Sequence, residues 1–126
     1  MKMRSPPEAL VAEQNRKGFK TQAFRADISQ PIKCQTLLDD IVKTFGRVDI
    51  LVSNAGIEHF GKLEEITPQD FKQVFSVNIA GQLFAAQAAA RYLPSGGRFM
   101  LTSSVSARKS VFAPLKKDQM VLQTVS

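Results

Sequence analysis

The sequence predicts an α/β domain whose short parallel strands are joined by crossover helices. Three observations predict it. Apolar residues recur at three- and four-residue spacing from Cys34 to Phe45, the period of one helix face. A near-continuous apolar run, Val48 to Val52, comes next, as in strands buried on both faces. The alternation then repeats, with a long helical pattern from Pro68 and a further short apolar run from Arg98. The crossovers of such a sheet are right-handed.

Taken in order, Pro7 to Lys17 is a helix candidate, with proline near its start and Gly18 just past its end. Thr21 to Ala26 is a short strand candidate. Ser29 suits the cap of the next helix and Pro31 its first turn. Cys34, Leu37, Leu38, Ile41, Val42 and Phe45 make its buried stripe, and Gly46 ends it. Ser53, Asn54, Ala55 and Gly56 break the strand Val48–Val52 into a loop that continues to Ile66. Thr67 caps a helix from Pro68 to about Leu93, with Asp70 at its positive end. Phe71, Val74, Phe75, Ile79, Leu83 and Ala86 line one side of that helix, and Pro94 to Gly97 stop it. Arg98 to Thr102 is the next strand, leading into the polar turn Ser103 to Ser106.

A length of 126 residues, 44% of them hydrophobic, suits one domain with a packed core. Cys34 is the single cysteine, which excludes an internal disulfide and reads as a small buried apolar residue in a reducing compartment. Apolar runs fall short of the roughly 20 residues of a membrane span, and the basic N-terminus lacks a signal peptide's apolar stretch, so the cytoplasm is the expected location. The net charge of +6 sits at the ends: residues 1–25 and 98–126 each carry +4, and the middle −2. That distribution, without basic–aromatic interleaving, argues against nucleic acid as a partner. His59, the only histidine, has no partners at ligand spacing, so no metal is expected and it reads as a loop residue near a pocket mouth. Asp39-Asp40 and Glu64-Glu65 are neighbours that do not share a helix face, and read as solvated surface.

Ligands of open parallel sheets bind beyond the C-terminal ends of the strands. Three polar clusters fall there: Asp27 with Ser29, Ser53 with Asn54, and Ser103 with Ser104. Each alone is explained more simply by turn and cap chemistry. Together they belong to an ordered set: Arg25-Ala-Asp-Ile-Ser29, Gly46-Arg-Val-Asp-Ile-Leu-Val-Ser-Asn-Ala-Gly56, Val77-Asn-Ile-Ala-Gly81 and Gly97-Arg-Phe-Met-Leu-Thr-Ser-Ser104. In this order, on these elements, the set resembles the short-chain dehydrogenase/reductase family from its third strand to its fifth, over roughly residues 8–110. Ser53–Phe60 and Val74–Gln82 are most similar to fungal ketoreductases of polyhydroxylated aromatics, such as hydroxynaphthalene reductases.

The resemblance implies a partial Rossmann-like, dinucleotide-binding domain over 1–110 and a divergent tail over 111–126. Such a domain holds the family's third to fifth strands with their crossover helices. It lacks the first two strands and the part after the catalytic serine. By the same resemblance, Asp27 accepts a hydrogen bond from the adenine amino group, and Asn54, Ala55 and Gly56 form the loop beneath the cofactor. Asn78, a poor helix former in mid-helix, holds a helix irregularity and a water of the proton relay. Ser104 hydrogen-bonds the substrate carbonyl oxygen as charge grows on it, with Ser103 the competing candidate. The likeness to fungal reductases implies NADP as cofactor and a small carbonyl substrate. The family uses the helix 68–93 in its dimer interface, so the resemblance implies a homo-oligomer, and the short apolar runs give no membrane partner.

Two family motifs are not found in the chain. No Gly-x-x-x-Gly-x-Gly is present among its seven glycines, and no Tyr-x-x-x-Lys comes after Ser104. The only tyrosine, Tyr92, lies upstream, and no acid group accompanies Lys116 and Lys117. The family reaction is NADP(H)-dependent hydride transfer between carbonyl and alcohol, and this chain alone is expected to be impaired or inactive in it. The alternative is a non-catalytic remnant that self-associates or binds a full-length relative. Without the neighbours it has in the family's sheet, Thr21–Ala26 is expected to pair directly with Val48–Val52, to remain an exposed edge or to borrow a strand.

Overall fold

The computed structural model describes residues 6–103 and the backbone of residues 120–122. Helix α1 (Pro7–Arg16) starts on proline and buries none of its residues. Its Asn15 side chain receives the Thr21 N–H at 2.9 Å and donates to the Thr21 carbonyl at 3.2 Å. The segment after it corrects the strand expected over Thr21–Ala26, for it joins no ladder. A strand needs a neighbour's edge to satisfy its main chain. Here side chains do the holding: Phe24 meets Phe45 edge-on at 6.5 Å, and the Lys20 ammonium lies 5.3 Å above the same ring.

Helix α2 (Pro31–Phe45) is bracketed by proline at its start and Gly46 at φ +84° past its end. Gly46 N–H donates to the Val42 carbonyl at 2.7 Å. Ser29 is not its cap. Gln30 occupies that position without a side-chain bond, and the Ser29 hydroxyl donates instead to Asp27 Oδ1 at 2.6 Å. Cys34 and Leu38 of α2 are fully buried, with Leu37, Ile41 and Val42 packed around them.

Strand β1 (Ile50–Ser53) leads into a loop that contains the short β2 (His59–Gly61) and a 3-10 turn at Leu63–Glu65. Thr67 Oγ1 then accepts from the Asp70 N–H, and the Asp70 carboxylate accepts from the Thr67 N–H. This reciprocal cap, which contributes about 1 kcal/mol, starts helix α3 (Pro68–Phe75). A π turn, Ser76–Ala80, separates α3 from α4 (Gly81–Ala90). Strand β3 (Arg98–Leu101) pairs in parallel with β1, Ile50 opposite Arg98 and Ser53 opposite Leu101. Strand β4 (Met120–Leu122) pairs antiparallel with β2.

The π turn corrects the apolar face expected for the long helix. One extra residue in the turn rotates α4 about its axis relative to α3, so a constant period misplaces the face. The buried residues are Val74, Asn78, Gly81, Gln82, Ala85, Ala88 and Ala89. Phe71, Ile79 and Leu83 face outward and are exposed. The alanines let α4 lie close to α2, and Cys34, Leu38, Val48, Ala88 and Ala89 make the shared core. The helix ends at Ala90, short of Leu93, in a turn at Arg91–Tyr92.

The sheet also departs from expectation. Leu51 and Ser53 face the helices, but Ile50 and Val52 on the other side stay 59% and 57% exposed, so the described residues cover one face only.

Asp39 is not merely solvated, since it accepts hydrogen bonds from the Tyr92 hydroxyl and from Gln35 Nε2. The Tyr92 bond, joining α2 to the end of α4, holds the Asp39 carboxyl below its usual range and raises the Tyr92 phenol. The depressed Asp39 contributes stability above about pH 4 that is lost as pH falls through its folded value. The raised Tyr92 contributes stability below about pH 10 that is lost as pH rises through its own. Tyr92→Phe should therefore lower the urea midpoint modestly between pH 5 and 9, and the deficit should shrink on acidification below pH 3. A deficit constant with pH would contradict the coupling.

Candidate functional site

The site forms where β1 and β3 end. Asn78 lies in the π turn and is 5% exposed. Its Oδ1 accepts from the Ile57 N–H at 2.8 Å, and its Nδ2 donates to the Ile57 carbonyl at 2.9 Å. One side-chain amide thus satisfies both main-chain groups of a loop residue that no ladder serves, and fixes the end of the segment Asn54–Ile57. Helix interiors disfavour asparagine, so its burial here is explained by the loop it holds.

Asn54, Ala55 and Gly56 are exposed just beyond β1. Asn54 Oδ1 accepts from the Thr102 hydroxyl at 2.9 Å, and the Thr102 N–H donates to the Ser53 carbonyl at 3.0 Å. These bonds bring the clusters at Ser53–Asn54 and Thr102–Ser103 side by side. A Cβ at Gly56 would meet Asn78 Oδ1 at 3.6 Å, an ordinary contact. The chain itself therefore does not demand glycine there.

Asp27 comes after the unpaired segment rather than after a sheet strand. Its carboxylate accepts from the Ser29 N–H and hydroxyl and from Gln30 Nε2. The Ser29 hydroxyl is the main reason its carboxyl is held below the ordinary value, and the Ser29 N–H adds to it. The carboxylate is exposed, and ionised it retains lone pairs for a further donor. Ser103 is exposed beyond β3. Ser104 and the tail from 111 lie outside the described residues, apart from the backbone of 120–122.

The motifs assign no role to two residues of the site, Gly81 and Gln82. Gly81 lets α4 press on the Asp27 turn, for a Cβ there would lie 2.8 Å from Ile28 Cδ1 and 3.3 Å from the Ile28 carbonyl oxygen. The Cys34 thiol donates to that same carbonyl at 3.4 Å, and burial raises its pKa. Gln82 is a buried polar side chain with Nε2 donating to the carbonyls of Asn78 and Thr102. Its one faint signal is an amide on the buried face of an alanine-rich helix. His59, in β2, sits 3.6 Å from Asp70. Among the described residues, no cluster of His, Cys, Asp and Glu could hold a metal ion, and no helix is long and apolar enough to cross a membrane.

A family model for short chain dehydrogenases matches residues 2–114. The chain belongs to the short-chain dehydrogenase/reductase family. It is 42% identical over 104 residues to a versicolorin reductase of Emericella nidulans, an alignment covering 82% of this chain and 39% of that protein. It is 41% identical over 99 residues to a tetrahydroxynaphthalene reductase of Pestalotiopsis fici, covering 79% and 36%. The fold matches a crystal structure of a short-chain dehydrogenase from Burkholderia cenocepacia in complex with NADP. That match has a TM-score of 0.78 and 37% identity, over 84% of this chain and 43% of the other. The chain thus spans about two fifths of the length of the curated relatives it matches. Its fold is a partial Rossmann-like α/β fold, and its kinship is to NAD(P)-dependent oxidoreductases, fungal polyhydroxyaromatic reductases among them.

Acceptors and exposed main chain of the kind a nicotinamide dinucleotide takes are present among the described residues. Asp27 presents an exposed acceptor, and the exposed loop Asn54–Gly56 stands at the C-terminal edge of a parallel pair, where open parallel sheets bind ligands.

Proposed function

We propose that this chain is the cofactor-docking segment of an NADP(H)-dependent ketoreductase acting on an aromatic, polyketide-type carbonyl compound. The observation that carries the reading is Asn78, buried in a π turn and holding Ile57 by both ends of its amide, so that the loop Asn54–Gly56 is fixed and open at the strand ends. In this proposal Asp27 holds the adenine amino group, and Asn54, Ala55 and Gly56 lie beneath the dinucleotide. Ser104 donates to the carbonyl oxygen, and Asn78 keeps the relay side of the site in register. The bound dinucleotide would supply the hydride. The substrate class rests on the names of the fungal relatives, and the choice of NADP on the ligand of the Burkholderia cenocepacia structure. A free, buried Cys34 suits a reducing, cytoplasmic setting. No Tyr-x-x-x-Lys comes after Ser104 in this chain, so docking without turnover is expected of it alone.

Calorimetric titration with NADPH, and with NADH in parallel, tests the reading. Saturable binding is expected, tighter for NADPH, with Asp27→Ala weakening it about tenfold by removing one charge-assisted hydrogen bond. Absence of heat with NADPH up to millimolar concentration would overturn it.

A second reading is favoured by one observation. Phe71, Ile79 and Leu83 form an exposed apolar stripe along α3 and α4, a surface that could pair with a second copy or with a longer relative. Sedimentation velocity should then show a dimer that Leu83→Glu converts to monomer. A wild-type monomer at 100 μM would contradict it.

A further inference from the structure

Three loops of the site are referenced to one stretch of helix, residues 78–82. Asn78 holds Ile57, Gly81 seats Ile28, and Gln82 reaches the end of β3. Gln82 is 8% exposed. Its Nε2 donates to the Asn78 carbonyl at 3.1 Å and to the Thr102 carbonyl at 3.3 Å. Burying an amide is costly unless its hydrogen bonds are made, and an unbranched apolar side chain would fill the same space on this alanine-rich helix. Packing alone therefore gives no reason for glutamine. The two carbonyls it joins do give one, because one belongs to the π turn and the other to the residue that carries β3 into Ser103.

We propose that Gln82 is a positioning residue, which ties the C-terminal end of β3 to the π turn and so sets where Thr102 meets the Asn54 loop. The inference rests on the docking reading above. Thr102 is the hinge of the arrangement: its carbonyl accepts from Gln82, its N–H donates to Ser53 and its hydroxyl to Asn54. Losing the Gln82 donor removes one of these contacts at the strand end, away from the core shared by α2 and α4.

Amide hydrogen exchange at Thr102, read by NMR, tests this in the whole chain. Gln82→Met keeps length and volume but cannot donate. Thr102 should exchange about tenfold faster, while Leu38 and Val42 in α2 change by less than about twofold. Gln82→Glu places a carboxylate against two carbonyls, so Thr102 protection should be low at pH 7 and recover as the acid protonates and regains a donor. A purely space-filling role predicts instead that the ionised, buried carboxylate lowers protection equally at every amide, α2 included. NADPH affinity should fall several-fold in Gln82→Met with little change in melting temperature. Unchanged Thr102 protection in both variants, or an equal loss at every amide, would overturn the proposal. If Gln82→Met does not fold, the pH response of Gln82→Glu decides. If the wild-type chain fails to bind NADPH, the docking reading falls, and Thr102 protection still decides the role of Gln82.

Discussion

Leu38→Ala should lower the unfolding free energy by about 3 kcal/mol, measured by urea denaturation monitored by circular dichroism. Leu38 is 2% exposed and sits where α2 meets α4. Its buried neighbours are Cys34, Val48, Ala88 and Ala89, all smaller than leucine. The surrounding side chains relax only partly around such a deletion, so a cavity term adds to the lost transfer energy. Single domains are stable by about 5–15 kcal/mol, and this sheet is covered on one face only among the described residues, so the loss is a large part of the total. Leu38→Met should cost under about 1.5 kcal/mol, since volume is conserved. Equal, small effects of both substitutions would show that α2 does not pack on α4 as described.

Asn78→Ala should cost about 2–3 kcal/mol and should also abolish cofactor docking. The substitution strips the Ile57 N–H and carbonyl of their partner together. A half-buried main-chain group left without a partner costs roughly 1–3 kcal/mol. The cost is local as well as global, because the segment from Asn54 to Ile57 is then free to move. Asn78→Asp separates the two bonds. It keeps an acceptor for the Ile57 N–H but sets a carboxylate against the Ile57 carbonyl. Amide exchange at Ile57 should rise in both variants, with exchange in α2 little altered by Asn78→Asp. Unchanged protection at Ile57 would contradict the role given to Asn78.

Much of the architecture is legible in the sequence because its signals are local. Pro31 and Gly46 bracket α2, and Thr67 with Pro68 and Asp70 start α3, by rules that need no tertiary partner. The features that escape such rules depend on neighbours distant in sequence or on side-chain competition. Ser29 resembles a cap, but Asp27 two residues earlier takes its hydroxyl. Thr21–Ala26 has strand composition, yet a strand exists only beside another, and Phe24 and Lys20 settle on Phe45 instead. The stripe Phe71–Ile79–Leu83 keeps a helical period, but the π turn and the alanines turn a different face inward. For the site, the motif around Asn78 draws attention to a residue that lies buried in the π turn. Gln82 is hidden in the sequence because its two partners, Asn78 and Thr102, come together only in the folded chain.

In the proposed function, the loops at the ends of β1 and β3, organised around Asn78, form a nicotinamide-dinucleotide docking surface. Titrating the isotope-labelled chain with NADPH and recording its amide NMR shifts tests it most directly. Saturable shifts are expected at Asp27–Ser29, Asn54–Ile57 and Thr102–Ser103, all on one binding curve and absent in Asn78→Ala. Shifts confined to the exposed stripe at Phe71, Ile79 and Leu83, or no shifts at millimolar NADPH, would contradict it.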